Sequence, residues 1–185
     1  MHAGQTKTDA EIVQEALHTP EVFGVLIERY EAKLRRFIHR LTNIPDHDAD
    51  DILQEVFIKA YRNLHNVDSA GSFSAWIYRI TRNTVISEFR KKQARPPETI
   101  LDKELIETLK SDISLTQSID NTLLKDQLDI AIKKLPLKYR EVIILKYIEE
   151  KSYEEISDIL RKPAGTVATL LSRAKKQLHK HLEKL

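Results

Sequence analysis

The sequence predicts an all-α protein. Apolar residues recur at spacings of three and four over long stretches, and no run alternates as a strand would. Glycine and proline are scarce, at four and six in 185 residues. At 41% hydrophobic and 31% charged, the chain can fold but has little core to spare.

The first helix is expected at "TDAEIVQEAL", with Thr8 as N-cap and Glu11 closing a capping box. The next opens at "TPEVFG", with Thr19 as N-cap and Pro20 in the first helical position. Its apolar stripe is Phe23, Ile27, Tyr30, Leu34, Phe37 and Leu41. "DHDADDILQEVFIKAYRNL" makes a third helix and "SFSAWIYRITRNTVISEFRKK" a fourth. Pro96 and Pro97 then forbid continuation. The polar, acidic stretch to about Asn121 reads as a linker, with one helical turn around "DKELIETLK". Four further helices follow: "LLKDQLDIAIKKL", "PLKYREVIILKYI", "SYEEISDIL" and "PAGTVATLLSRAKKQLHKHLEKL". Ser152 and Glu155 form the capping box of the third of these.

Absent cysteine excludes disulfides, zinc–cysteine sites and thiol nucleophiles, and fits a reducing compartment. No apolar run is long enough to span a bilayer and no signal-peptide core is present, so a soluble cytoplasmic protein without membrane insertion is expected. There is no phosphate-cradling glycine loop and no nucleophile motif. His179 and His181 point to different helix faces and cannot make a four-apart metal pair. Neither an enzyme nor a cofactor is expected.

Net charge is only +2, but it is zoned. Residues 71–95 carry six bases against Glu88, and 161–185 carry seven against Glu183. Between them, 98–120 hold six acids against Lys103 and Lys110. Two basic zones suggest two contacts with a polyanion.

The last two helices have helix–turn–helix form. Ile156, Ile159 and Leu160 give the first a buried side; Val167, Leu171, Ala174 and Leu178 give one to the second. The free face carries Ala168, Thr169, Ser172, Arg173 and Lys176. Short polar groups there suit base edges and cations suit phosphates in a major groove. Arg161 stands where such turns commonly have Gly: either the turn differs, or Arg161 bears the cost of a left-handed non-glycine residue, about 1 kcal/mol, and offers a phosphate contact. In the fourth helix Phe73, Trp76, Ile77, Ile80 and Thr84 can face a core. Arg79, Arg82, Asn83, Ile86 and Arg90 share another face, suited to single-stranded nucleic acid.

In this order, "DADDILQEVFIKAY", "FSAWIYRITRN", an acidic linker and "LPLKYREVIILKYIEEKSYEEISDIL…PAGTVATLLSRAKKQL" resemble the bacterial RNA polymerase sigma factors of the extracytoplasmic-function (ECF) group. The resemblance runs from about Phe23 to Leu182. It implies two small helical domains joined by a flexible acidic linker, the second containing the helix-turn-helix. The expected bounds are 1–95 for a region-two-like domain, 96–121 for the linker and 122–185 for a region-four-like domain. The implied partners are core polymerase (through the clamp helices of its largest subunit), promoter DNA and an anti-sigma factor.

By the same resemblance, Asp51, Gln54, Glu55 and Ile58 should bind polymerase. Arg79, Arg82 and Asn83 should meet the minus-ten strand, with a flipped base near the loop from Asn66 to Ser72. Thr166, Ala168, Thr169, Ser172, Arg173 and Lys176 should read the minus-thirty-five element. Many relatives have "GTVKSRLHRAR" where this chain has "GTVATLLSRAK", so Ala168 and Leu170 stand in for basic residues. Fewer phosphate contacts are expected there, with either more weight on Arg173, Lys175 and Lys176 or an unusual recognised sequence.

The acidic stretch from Asp46 invites a calcium reading, since Asp46, Asp48 and Asp50 have the one, three, five spacing. It fails at Asp51, where Gly is needed, and at Phe57, where a bidentate Glu is needed. Asp48 and Asp50 instead favour a helix start. Ile52, Leu53, Val56, Phe57, Ala60, Tyr61 and Leu64 are expected to fill the core face, leaving Ile58 apolar in the middle of a polar one. An autonomous helix-turn-helix regulator with a helical sensor domain is the competing reading; it predicts operator binding without polymerase.

Overall fold

Thr8 and Glu11 set the first boundary as expected. The Thr8 hydroxyl accepts from the Glu11 amide, and the Glu11 carboxylate accepts from the Thr8 amide at 2.7 Å. In this computed structural model, residues 7–42, 44–67, 72–94 and 121–183 are described. Helix α1 spans Asp9–Ala16, α2 Phe23–Thr42, α3 Asp46–Arg62 and α4 Phe73–Ala94. Helix α5 spans Asn121–Lys133, α6 Leu137–Ile143, α7 Tyr153–Leu160 and α8 Ala164–Leu182. No strand occurs among the described residues. The helical turn expected around "DKELIETLK" and most of the expected linker lie outside them.

Three helices begin directly after a proline. Pro45, Pro136 and Pro163 have φ of −58°, −52° and −55° and extended ψ, and precede α3, α6 and α8. The ring fixes φ, and at the cap position no backbone N–H is needed. Pro20 acts differently. It opens a 3₁₀ turn, Pro20–Val22, ahead of α2, and the expected Thr19 side-chain cap bond is not formed. "PLKYREVIILKYI" is not one regular helix either: after α6 the chain widens into a π turn over Ile144–Ile148. There the Glu149 amide reaches back to the Ile144 carbonyl at 2.9 Å.

In the N-terminal half, α2, α3 and α4 pack around Leu34, Phe37, Val56 and Ile77, all fully buried. Phe37 meets Tyr78 edge to face at 5.0 Å, and Tyr30 meets Phe73 likewise at 5.4 Å. Such pairs add about 1 kcal/mol beyond area burial. The α2 stripe is as expected except that Ile27 is only half-buried, and Leu26 and Ile38 widen it. Tyr61 is the exception on α3: expected in the core, it is 44% exposed, with its ring edge-to-face on Phe23. An apolar body there can cover Phe23 while the hydroxyl stays wet.

In the C-terminal half, α6, α7 and α8 enclose Val142, Ile144, Ile156, Val167 and Ala174. The turn between α7 and α8 puts Arg161 at φ 53°, ψ 46°, the left-handed region. The chain therefore bears the strain that a non-glycine residue carries there, about 1 kcal/mol. Ser157 locks the turn, its hydroxyl donating to the Lys162 carbonyl at 2.6 Å.

The two halves share one continuous core. Helix α4 lies against α7, and α2 against α5, α6 and the π turn. Among the described residues, four side chains donate hydrogen bonds across the junction. Arg82 donates to Glu141, Tyr78 to Glu149, Lys151 to Ser74 at 2.6 Å, and Arg140 to the Leu41 carbonyl.

Candidate nucleic-acid interface

The outer side of α3 presents Asp51, Gln54 and Ile58 to solvent, with Glu55 half-buried beside them. Ile58 is 43% exposed, an apolar group among acids and amides, as the sequence suggested. Tyr61, one turn on, extends that apolar spot; the helical period had assigned it to the core. Asp51 and Gln54 also line a hollow of about 360 Å³ between α2 and α3, where Arg35 pairs with Glu31 at 3.1 Å and with Asp50. Glu55 is engaged on its own helix, 2.6 Å from the Lys59 ammonium.

That ammonium leads to the second surface. Lys59 Nζ also donates to the Thr84 hydroxyl on α4 at 3.2 Å. Both side chains line a groove of about 470 Å³ between the C-terminal end of α3 and the middle of α4. The groove gathers Asn66, Arg79 and Asn83, three of the residues expected at the minus-ten strand. Asn63, Trp76, Ile80 and Ser87 complete its wall; Lys59 on α3 and Asn63 at its end are residues that the periodicity of α4 could not supply. Trp76 is mostly core, yet its edge reaches the groove. An apolar and aromatic floor with amide and hydroxyl walls can hold a base by stacking and edge hydrogen bonds, and two cations can hold its phosphates.

The other two expected minus-ten residues lie elsewhere. Ser72 stands at the start of α4, its hydroxyl accepting from the Ala75 amide at 3.4 Å. Arg82 turns away from the groove toward the C-terminal half. Its Nε donates to Glu141 Oε2 at 2.7 Å and its Nη2 to Oε1 at 3.3 Å. Arg79 is partly covered too; burial, and Arg161 across the junction, lower its pKa.

On α8, Thr166, Ala168, Thr169, Ser172, Arg173 and Lys176 are all exposed. Thr169 donates its hydroxyl to the Gly165 carbonyl at 2.9 Å and keeps its lone pairs free as acceptors. Lys175 is held over the Tyr147 ring, 5.5 Å from its centroid. Its raised pKa comes from the hydrogen bond with that tyrosine. Tyr153, at the N-terminus of α7, is exposed with the Lys146 ammonium 4.9 Å from its ring. Neither tyrosine shows in the periodicity of α8; what could have marked them is their place just before and within the first helix of the motif.

Among the described residues no cluster of His, Asp and Glu could hold a metal ion, and no helix is long and apolar enough to cross a membrane.

A helix-turn-helix with an open polar face, and a groove of cations, amides and an aromatic ring between two other helices, are features of a DNA-binding protein. Sequence comparison agrees. Sigma-70 region 2 matches residues 26–95, and Sigma-70, region 4 matches residues 125–178. The ECF RNA polymerase sigma factor SigW of Bacillus subtilis is 37% identical over 180 residues, covering 89% of this chain and 91% of its own. Among solved structures, CnrH in complex with the cytosolic domain of CnrY aligns over 95% of this chain and 97% of its own, at TM-score 0.69 and 25% identity. The sigma factor RpoE of Bartonella quintana, in complex with the anti-sigma factor NepR, aligns over 87% and 96%, at TM-score 0.64 and 24% identity. The chain belongs to the ECF RNA polymerase sigma factors.

Proposed function

We propose that this sigma factor is a non-catalytic initiation subunit working in the cytoplasm, with region two over 1–95, a linker over 96–121 and region four over 122–185. Asp51, Gln54, Glu55 and Ile58 grip the clamp helices of the largest polymerase subunit, Ile58 as the apolar anchor. The minus-ten strand binds along α4 through Arg79, Arg82 and Asn83, with an extruded base near Asn66 and Ser72. Thr166, Ala168, Thr169, Ser172, Arg173 and Lys176 read the minus-thirty-five duplex. An anti-sigma factor holds the protein inactive, as NepR binds the Bartonella quintana protein of like fold.

The observation that carries this reading is the groove that joins Asn66, Arg79 and Asn83 to Lys59 and Trp76. Extruding a base costs a few kcal/mol of stacking, and a preformed pocket offsets it. The test is run-off transcription with core polymerase on a genomic promoter library. Specific initiation that is lost in Asn83→Ala and in Ile58→Glu is expected. Tight operator binding without core enzyme, and no initiation with it, would instead establish an autonomous regulator.

A further inference from the structure

Arg82 lies on the face proposed for the minus-ten strand, yet its guanidinium is already taken. Both Glu141 oxygens accept from it, and the Glu141 side chain is 3% exposed. A carboxylate accepting a two-point guanidinium contact has the geometry and charge with which a phosphate would accept it. The neighbouring turn adds to the cover. Arg79 feels Asp158 and Arg161 across the junction, and Lys151 donates to Ser74 at the start of α4. Tyr78, buried one residue before Arg79, donates to Glu149, whose other oxygen lies 3.9 Å from Arg40. The reading face of α8 takes no part; its six proposed contact residues are exposed.

We infer that region four acts as an intramolecular competitor for the minus-ten strand, with the Glu141 carboxylate occupying on Arg82 the place of a promoter phosphate while the duplex-reading face of α8 stays open. This rests on the assignment of Arg82 to the minus-ten strand. The occupant is the chain's own second half, so strand binding and domain separation are one equilibrium. A strand must displace Glu141 before Arg82 can serve it. The apparent strand affinity of the free chain is thereby reduced by the fraction of molecules that are open.

The full chain has no cysteine, so Glu28→Cys on α2 and Lys180→Cys on α8 accept a dye pair cleanly. Energy transfer then reports domain separation without DNA. Glu141→Gln keeps shape and removes the charge; Tyr78→Phe removes only the bond to Glu149 and serves if the first variant folds poorly. The strand probe is the fluorescein-labelled non-template strand of a promoter from which the chain initiates. The expected result is lower energy transfer and roughly tenfold tighter strand binding in Glu141→Gln, the size of one charge-assisted contact. Binding of the minus-thirty-five duplex of the same promoter should change less than about twofold, because α8 is open in both forms. Unchanged energy transfer and unchanged strand affinity in both variants would overturn the inference and leave the minus-ten assignment standing. Separation without tighter strand binding would overturn the competition itself. Arg82→Ala in the Glu141→Gln background judges the assignment independently: if strand affinity stays high there, Arg82 is no strand contact.

Discussion

Arg140 of α6 caps the end of α2: its Nη1 donates to the Leu41 carbonyl at 2.6 Å, ninety-nine positions away in sequence. Its Nη2 donates to the Lys133 and Leu135 carbonyls, which closes the turn between α5 and α6. The last carbonyls of a helix lack intrahelical partners and carry the negative end of its dipole, so a cation suits this place. Burial lowers the Arg140 pKa, and its Nε has no hydrogen-bond partner among the described residues. Arg140→Met should therefore cost about 1–3 kcal/mol, the range for hydrogen bonds to a charged group offset by release from burial. Urea denaturation with its midpoint compared at constant slope measures it; no loss would mean that these carbonyls are satisfied as well by water.

Ile58→Glu should abolish capture by core polymerase on a column while leaving the fold alone. Ile58 is exposed, and a surface change away from caps and cavities moves stability by no more than about 0.5 kcal/mol. Tyr61→Ala should weaken capture less and also lower stability modestly, because its ring covers Phe23. Full capture by both variants would remove α3 from the polymerase contact.

Arg161→Gly separates backbone from side chain. Glycine relieves the left-handed strain at φ 53°, so thermal stability should rise by about 1 kcal/mol. A gel shift on minus-thirty-five duplex reports whether the arginine also touches phosphate: weaker retention, steeper in salt for the parent than for the variant, is the expected pattern. Lower stability in the variant would contradict the strained-turn account.

Lys59→Met should reduce permanganate reactivity at the minus-ten element in complexes with core polymerase, roughly tenfold for loss of one charged contact in a partly desolvated groove. Binding to core polymerase should persist, since Lys59 faces the groove as well as Glu55. Reactivity at the parent level would place the strand away from this groove.

Tyr30 and Tyr78 give the fold an alkaline limit. Burial first, and then the hydrogen bonds to Asp9 and Glu149, raise both phenols above their ordinary value of 10.0. The unfolded chain loses these protons first, so their contribution is whole below pH 10.0 and declines as pH rises above it. Stability measured from neutral to alkaline pH should fall less steeply in Tyr78→Phe. An identical slope would show that Tyr78 ionises in the folded protein as freely as in the unfolded one.

Much of this was legible because it is local. The capping boxes at Thr8 and Ser152 form as their spacing requires, each within three residues. The buried side of α8, Val167, Leu171 and Ala174, follows from the period alone. Local reading failed where two conformations compete over a short span. Pro20 fits a first helical turn and a 3₁₀ turn equally well, and nothing within "IILKYI" distinguishes a regular turn from a π turn.

By itself the sequence determined most of the helices, the capping boxes at Thr8 and Ser152, the exposed face of α8 and the apolar Ile58 among acids, since each depends on residues within a turn or two. Only the tertiary structure decided that Tyr61 faces solvent, that Lys59 and Trp76 join the groove of Asn66 and Asn83, and that Arg82 is held by Glu141, fifty-nine positions away. Helical periodicity states which residues share a face. What covers that face is set by the packing of distant elements, and here Arg82 on the basic side of α4 is held by the protein's own second half while Asn83 and Arg90 stay exposed.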